Sequence, residues 1–328
     1  MRRPLAGRRF VDPRKLSPRS EVRALRVLAR PTLNFSSMVE DVVKVGATFY
    51  SAYTRKAPGA AITIRLASTT DLYQAWTDLG EILTLGSQTW ENSTYQANGC
   101  CLMEDGGTFY LFYASGPEAL DTGESADIGV ATASSVTGPY TKSASNPILV
   151  RGSSGAWDDV RVQEPSVIRV GDLWIMAYMG EANTSYGLTE QIGAATASDP
   201  EGPWTKVGTD GLVIAQPSGL IVADPSLFHE DGLLWCYYVE ADATATFADS
   251  FPYFQVLSWA EAPEGPWTRL ETPILEANAS ASFEAGGVWR GGLFREGRDY
   301  WITYAGMGTD ADPATAKSST ARLEVWAP

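Results

Sequence analysis

Five times along the chain an aromatic-rich run follows a tight turn: "GATFYSAYT" from Gly46, "GGTFYLFYAS" from Gly106, "GDLWIMAYMG" from Gly171, "DGLLWCYYVE" from Asp231 and "GRDYWITYAG" from Gly297. Three of these runs lead into a second echo, "IGVATASSVTGPYTK" from Ile128, "IGAATASDPEGPWTK" from Ile192 and "VLSWAEAPEGPWTR" from Val256. Alternating apolar residues, a turn, and Gly-Pro-aromatic opening one more short strand read as antiparallel strands in a fixed internal order. A sandwich has no need to repeat that order five times, whereas four-stranded sheets set radially about an axis do. The expectation is an all-β, five-bladed propeller with blades at roughly 34–90, 91–156, 157–217, 218–279 and 280–328.

The last repeat breaks off. "LEVWAP" at the C-terminus matches "VLSWAEAP" from Val256, but no Gly-Pro-aromatic strand follows it. At the other end, Pro31-Thr32-Leu33 resembles the exits Pro147-Ile148-Leu149 and Pro273-Ile274-Leu275. The missing strand is therefore expected at about 24–30, joining the last blade and removing two open sheet edges. The domain reading is a basic arm over 1–21, followed by a propeller over 22–328.

Charge follows the same division. Residues 1–30 carry ten Lys or Arg against Asp12 and Glu21, leaving 15 bases and 37 acids, a balance of -22, on the rest. Such a body repels phosphates, which argues against nucleic-acid binding through the propeller. The arm reads as a solvated tail or as a docking segment for an acidic partner or larger assembly. It lacks the apolar run of a secretory signal, which suggests a cytoplasmic protein or part of an assembled particle. No run of eighteen apolar residues suggests a membrane span. Cys100, Cys101 and Cys236 form neither a disulfide framework nor a metal spacing, and His229 is the sole histidine.

Propeller blades begin at the axis, so residues that open equivalent inner strands meet there. Counting back from the turns puts Glu164 and Asp224 at the heads of units three and four, with Glu40 or Asp41 in the first, Asn98 or Gly99 in the second, and Arg290 in the fifth. Acids recurring at equivalent positions suggest paired carboxylates for acid/base chemistry. Upstream stand "SQTWE" ending at Glu91, "SGAWDD" ending at Asp159 and "SASFE" ending at Glu284. Their aromatic residues Trp90, Trp157 and Phe283 suit either sugar stacking at a pocket rim or packing between blades. Asp158, Glu284, Arg161 and Trp289 complete the candidate substrate-binding set.

The repeats "EPSVIRVGDLWIMAY", "DPSLFHEDGLLWCYY" and "GPW" resemble the five-bladed propeller glycoside hydrolases, nearest to family 43 and its relatives, families 32, 68, 117 and 130. The resemblance spans residues 34–328. It implies a hydrolase for an oligo- or polysaccharide, exo-acting on a furanoside or similar sugar and needing no cofactor. It also implies a general acid Glu in the third blade, Glu164, and a base in the first, Asp41 or Glu40. Asn98 stands where the family has a tuning Asp, and Asp224 is a further candidate for the base. Arg290 stands where many members place a His near a central calcium, so a structural calcium is the one metal the resemblance suggests. The rival expectation is a non-catalytic glycan-binding or structural component of an assembly such as a virion, held by the basic arm.

Overall fold

The computed structural model describes residues 21–26, 38–39, 41–56, 62–91, 99–116, 125–182, 189–242, 254–277, 283–308 and 317–326. Residues 1–20 of the basic arm expected over 1–21 lie outside them, whereas Glu21 opens a strand.

Strands fall into five antiparallel sheets, one per repeat, and no helix occurs among the described residues. Blade 3 shows the pattern most completely: inner strand Arg161–Val170, then Leu173–Glu181, Gln191–Ala197 and outer strand Thr205–Lys206. Blade 4 repeats it with Leu220–Glu230, Leu233–Asp242, Phe254–Ala260 and Thr268–Arg269. Blade 2 has Cys100–Asp105, Thr108–Ser115, Asp127–Ala133 and Thr141–Lys142. In blades 1 and 5 the inner strand is split, into Met38–Val39 with Val43–Val45 and into Gly287–Trp289 with Leu293–Glu296.

Ring closure takes the expected form. Glu21–Arg26 pairs antiparallel with Lys317–Trp326, from Glu21 opposite Trp326 to Arg26 opposite Ala321, and supplies the outer strand of blade 5. The strand begins three residues earlier than the exit motif suggested, and positions 27–30 lie outside the described residues. Register here is set by pairing with the C-terminal strand, whose partner set the sequence echo did not specify.

Apolar residues are buried between blades. Five clusters occur among the described residues, one at each blade interface: Leu66 and Leu111 between blades 1 and 2, Phe112 and Met176 between 2 and 3, Val222 and Ile175 between 3 and 4, Trp235 and Ile302 between 4 and 5, and Phe49 with Trp301 between 5 and 1. Alternation along a strand gives each sheet two apolar faces, and each face meets the neighbouring blade. The axis therefore has to be filled by the first few residues of each inner strand.

Candidate active site

The inner strands do not run straight to the axis. Pairing slips between Gln163 and Ser166 in blade 3 and between Ala223 and Ser226 in blade 4, so two residues oppose one. At each bulge the first extra residue takes a left-handed conformation, Glu164 at φ 55° and Asp224 at φ 54°, with Arg290 at φ 33° in blade 5. Non-glycine residues avoid this region, at a cost of about 1–3 kcal/mol each. The bulge turns these side chains out of the pleat and into the axis.

Glu164, Asp224 and Arg290 each stand seven positions before the turn of their blade, at Gly171, Asp231 and Gly297. The same count reaches Gly99 in blade 2, at φ 89°, and Val39 in blade 1. A Cβ on Gly99 would lie 2.4 Å from Glu164 Cα, so only glycine lets the third-blade acid occupy its place. Glu40 and Asn98 lie outside the described residues. Asp41 is described and sits two positions deeper than the bulge, level with Cys101, Ser166, Ser226 and Gly292.

These positions converge. Asp41, Glu164, Pro165, Asp224, Pro225, Arg290 and Gly291 line one small cleft at the axis. Arg290 Nε donates to Asp224 Oδ1 at 2.6 Å, and a terminal nitrogen of the same guanidinium donates to Glu164 Oε1. The Asp224 backbone N–H donates to Glu164 Oε2 at 3.0 Å. All three side chains are buried, and Asp224 Oδ2 accepts no hydrogen bond from the described residues. One guanidinium thus clamps two buried carboxyl groups.

Burial pushes the Glu164 carboxyl well above its ordinary value, and the Asp224 charge adds to this while Arg290 opposes it. Asp41 is also raised by burial, against hydrogen bonds from Cys101, Ser226 and Ser166 that favour its charged form. Glu190, which the repeats did not flag, is pushed up to about 8 by burial and by the charges of Glu181 and Asp224, with Arg161 and Arg290 opposing. Its aligned positions in blades 2 and 4 are Ala126 and Phe254, so self-similarity gave no hint of it. Ser166 and Ser226 were also missed, although the shared Pro-Ser in the two quoted repeats was their signal.

The remaining candidates stand elsewhere. Trp90 and Trp157 do not line the cavity. Trp90 packs on Tyr113 with ring centroids 5.7 Å apart, and Trp157 on Tyr178 at 5.9 Å. Each covers a glycine, Gly129 and Gly180 respectively, where a Cβ would meet the indole at 2.6 Å and 2.4 Å. Asp158 is a fastener too: Lys206 Nζ lies 2.5 Å from Asp158 Oδ2, and Tyr178 Oη donates to the same oxygen at 3.2 Å. Glu91 does the same in blade 2 with Lys142 at 2.6 Å and Tyr113 at 2.7 Å. Glu284 is buried beside Gly306, and Arg161 pairs with Glu181 at 2.9 Å. Trp289 packs beside the Arg290 guanidinium, 5.3 Å from ring centroid to carbon, outside the cavity lining. The repeated aromatic-acid pair was legible as a motif, but its radius was not: it stitches the connector to the second and fourth strands of the blade that follows. Among the described residues no group of three or more His, Cys, Asp or Glu side chains is arranged to hold a metal ion.

Comparison with known proteins agrees with this architecture. Residues 28–158 match the family Glycosyl hydrolases family 43. Among solved structures, a thermostable family-43 glycoside hydrolase superposes with a TM-score of 0.68 at 16% identity, over 91% of this chain and 95% of that one. An exo-1,5-alpha-L-arabinanase from a bovine ruminal metagenomic library gives 0.65 at 12% identity, over 89% and 96%. A family 117 glycoside hydrolase, Zg3597 from the marine bacterium Zobellia galactanivorans, gives 0.62 at 18%, over 93% and 90%. No curated protein matches the chain by sequence. The chain is a five-bladed β-propeller that resembles family 43 glycoside hydrolases and their structural relatives.

Proposed function

We propose that the protein hydrolyses a glycosidic bond in the axial cavity, with Glu164 as proton donor and Asp41 as the base that activates water. The observation that carries this reading is the convergence of three carboxyl groups from blades 1, 3 and 4 on one cavity with a single guanidinium. Glycoside cleavage needs one carboxyl group held protonated and another held ionised. Glu164 meets the first need, because burial and Asp224 both favour its neutral form. For Asp41 burial raises the carboxyl as well, and the hydrogen bonds from Cys101, Ser226 and Ser166 are what oppose it in favour of the ionised form that the second need requires.

In the proposed step Glu164 gives its proton to the departing oxygen as that oxygen leaves the anomeric carbon. Water adds to the carbon and passes a proton to Asp41. Asp224 tunes the donor: its charge beside Glu164 delays loss of the proton, the dyad logic by which neighbouring carboxyls push their pKa values apart. In this reading blade 4 supplies the tuning role for which the sequence of blade 2 offers Asn98 or Gly99. The names of the neighbours, an arabinanase among them, support a furanoside as the first substrate to try.

The test is a screen of aryl furanosides, aryl pyranosides and polysaccharides with wild type, Glu164→Gln and Asp224→Asn. Turnover by wild type that falls by about 10³-fold or more in Glu164→Gln is the expected result. Equal glycan binding by wild type and Glu164→Gln with no turnover by either would leave a sugar-recognising propeller without catalysis.

A further inference from the structure

Below the bulges lies a second ring of contacts that the acid/base reading does not use. Ser166 Oγ accepts the Leu227 backbone N–H at 2.9 Å, and Ser226 Oγ accepts that of Leu293 at 3.0 Å. In each case a side chain of one blade receives an amide of the next. Blade 2 continues the series with Cys101, whose Sγ accepts the Val167 N–H at 3.3 Å. A serine hydroxyl has one proton and two lone pairs. With the amide taking a lone pair, the proton is directed away from it. What lies there is Asp41: Ser166 Oγ is 3.1 Å from Oδ2, and Ser226 Oγ is 2.8 Å from Oδ1.

We propose that Ser166 and Ser226 are positioning residues that orient Asp41 and keep it ionised, each hydroxyl serving one carboxylate oxygen while its own direction is fixed by an amide of the neighbouring blade. This rests on the reading of Asp41 as the base. The arrangement couples the base to propeller closure, because its donors are aimed by contacts that cross from blade 3 to 4 and from blade 4 to 5. It also explains why Pro-Ser follows both Glu164 and Asp224: the acid at the bulge faces the cavity, and the serine two positions on faces the base. The other titratable groups facing Asp41 are Cys101 from blade 2, Glu164 from blade 3, Asp224 and Cys236 from blade 4 and Arg290 from blade 5. None of these offers a neutral hydroxyl to Asp41.

The experiment is the pH dependence of kcat/KM for Ser166→Ala, Ser226→Ala and Ser226→Cys, beside a 13C-carboxyl titration of aspartate-labelled protein in which Asp41→Asn identifies the Asp41 resonance. Loss of either hydroxyl is expected to move the acid limb, and the Asp41 titration with it, up by about one pH unit. Ser226→Cys should restore much of the wild-type position, since Cys101 fills the equivalent place in blade 2; it also remains informative if Ser226→Ala does not fold. An unmoved Asp41 titration in folded alanine variants overturns the proposal. If wild type turns over no glycoside but the titration moves as expected, hydrolysis fails as a reading while the hydroxyl control of Asp41 stands.

Discussion

The axis and the perimeter of this propeller use the same residue types to opposite ends. At the perimeter, Glu91 and Asp158 each sit between a tyrosine hydroxyl and a lysine, and Glu240 lies between Tyr238 and Arg269, whose Nε is 2.7 Å away. Each acid there has its own cation and an unstrained backbone. At the axis, Glu164 and Asp224 share Arg290, all three in left-handed backbone, with one carboxylate oxygen of Asp224 unpartnered among the described residues. The perimeter acids fasten strands, and under the proposed function the axial acids are the ones that react. Buried charge kept without full compensation is a cost in stability that a fastening role would not require.

The comparison breaks most visibly at Arg290. Arg290→Met leaves the two buried carboxyl groups without their cation and should destabilise the protein by about 3–5 kcal/mol in urea unfolding. Adding Glu164→Gln and Asp224→Asn to the same chain should recover most of that loss, because the penalty lies in the uncompensated charges. No recovery would mean that Arg290 acts through packing.

Trp157→Ala tests the perimeter. The indole covers Gly180 and stacks on Tyr178, so its removal should cost about 3 kcal/mol while leaving kcat/KM of the folded protein near wild type. A raised KM with unchanged stability would return Trp157 to the pocket rim. Gly99→Ala falls between the two regions: a Cβ 2.4 Å from Glu164 Cα, on a left-handed residue, should cost about 1–3 kcal/mol and lower activity by more than the unfolded fraction explains. Unfolding and kinetics on one preparation separate the two effects.

Much of this was legible in the sequence because the propeller is a repeat. The turn residues gave the blades, the truncated last repeat gave the closing strand, and the acids of Glu164-Pro165 and Asp224-Pro225 gave half of the cavity. What repetition cannot supply is radius and register. Trp157 and Glu164 are only seven residues apart, yet one clips the perimeter of blade 3 and the other reaches the axis. Asp41 was found as an acid near the first turn, but its level, two positions below the bulge, depends on an inner strand that splits between Val39 and Val43. Glu190 has no counterpart in the other blades and enters through proximity alone.

Glu190 adds a prediction about pH dependence. Its carboxyl, ordinarily near 4.5, titrates at about 8 in the folded protein, so the folded state binds the extra proton. Its contribution therefore lowers stability progressively as pH rises from about 4.5 to 8. Glu190→Gln should flatten the decline of unfolding free energy across that window; a slope equal to wild type would show that Glu190 is solvated.

The most direct test of an axis built for reaction is the unfolding free energy of Glu164→Gln. The amide replaces one of the two carboxyl groups that share Arg290 and leaves Asp224 as the one carboxylate of the pair beside that cation. The expected result is a protein at least as stable as wild type; a loss of several kcal/mol would show that Glu164 fastens the propeller as Glu91 and Asp158 do.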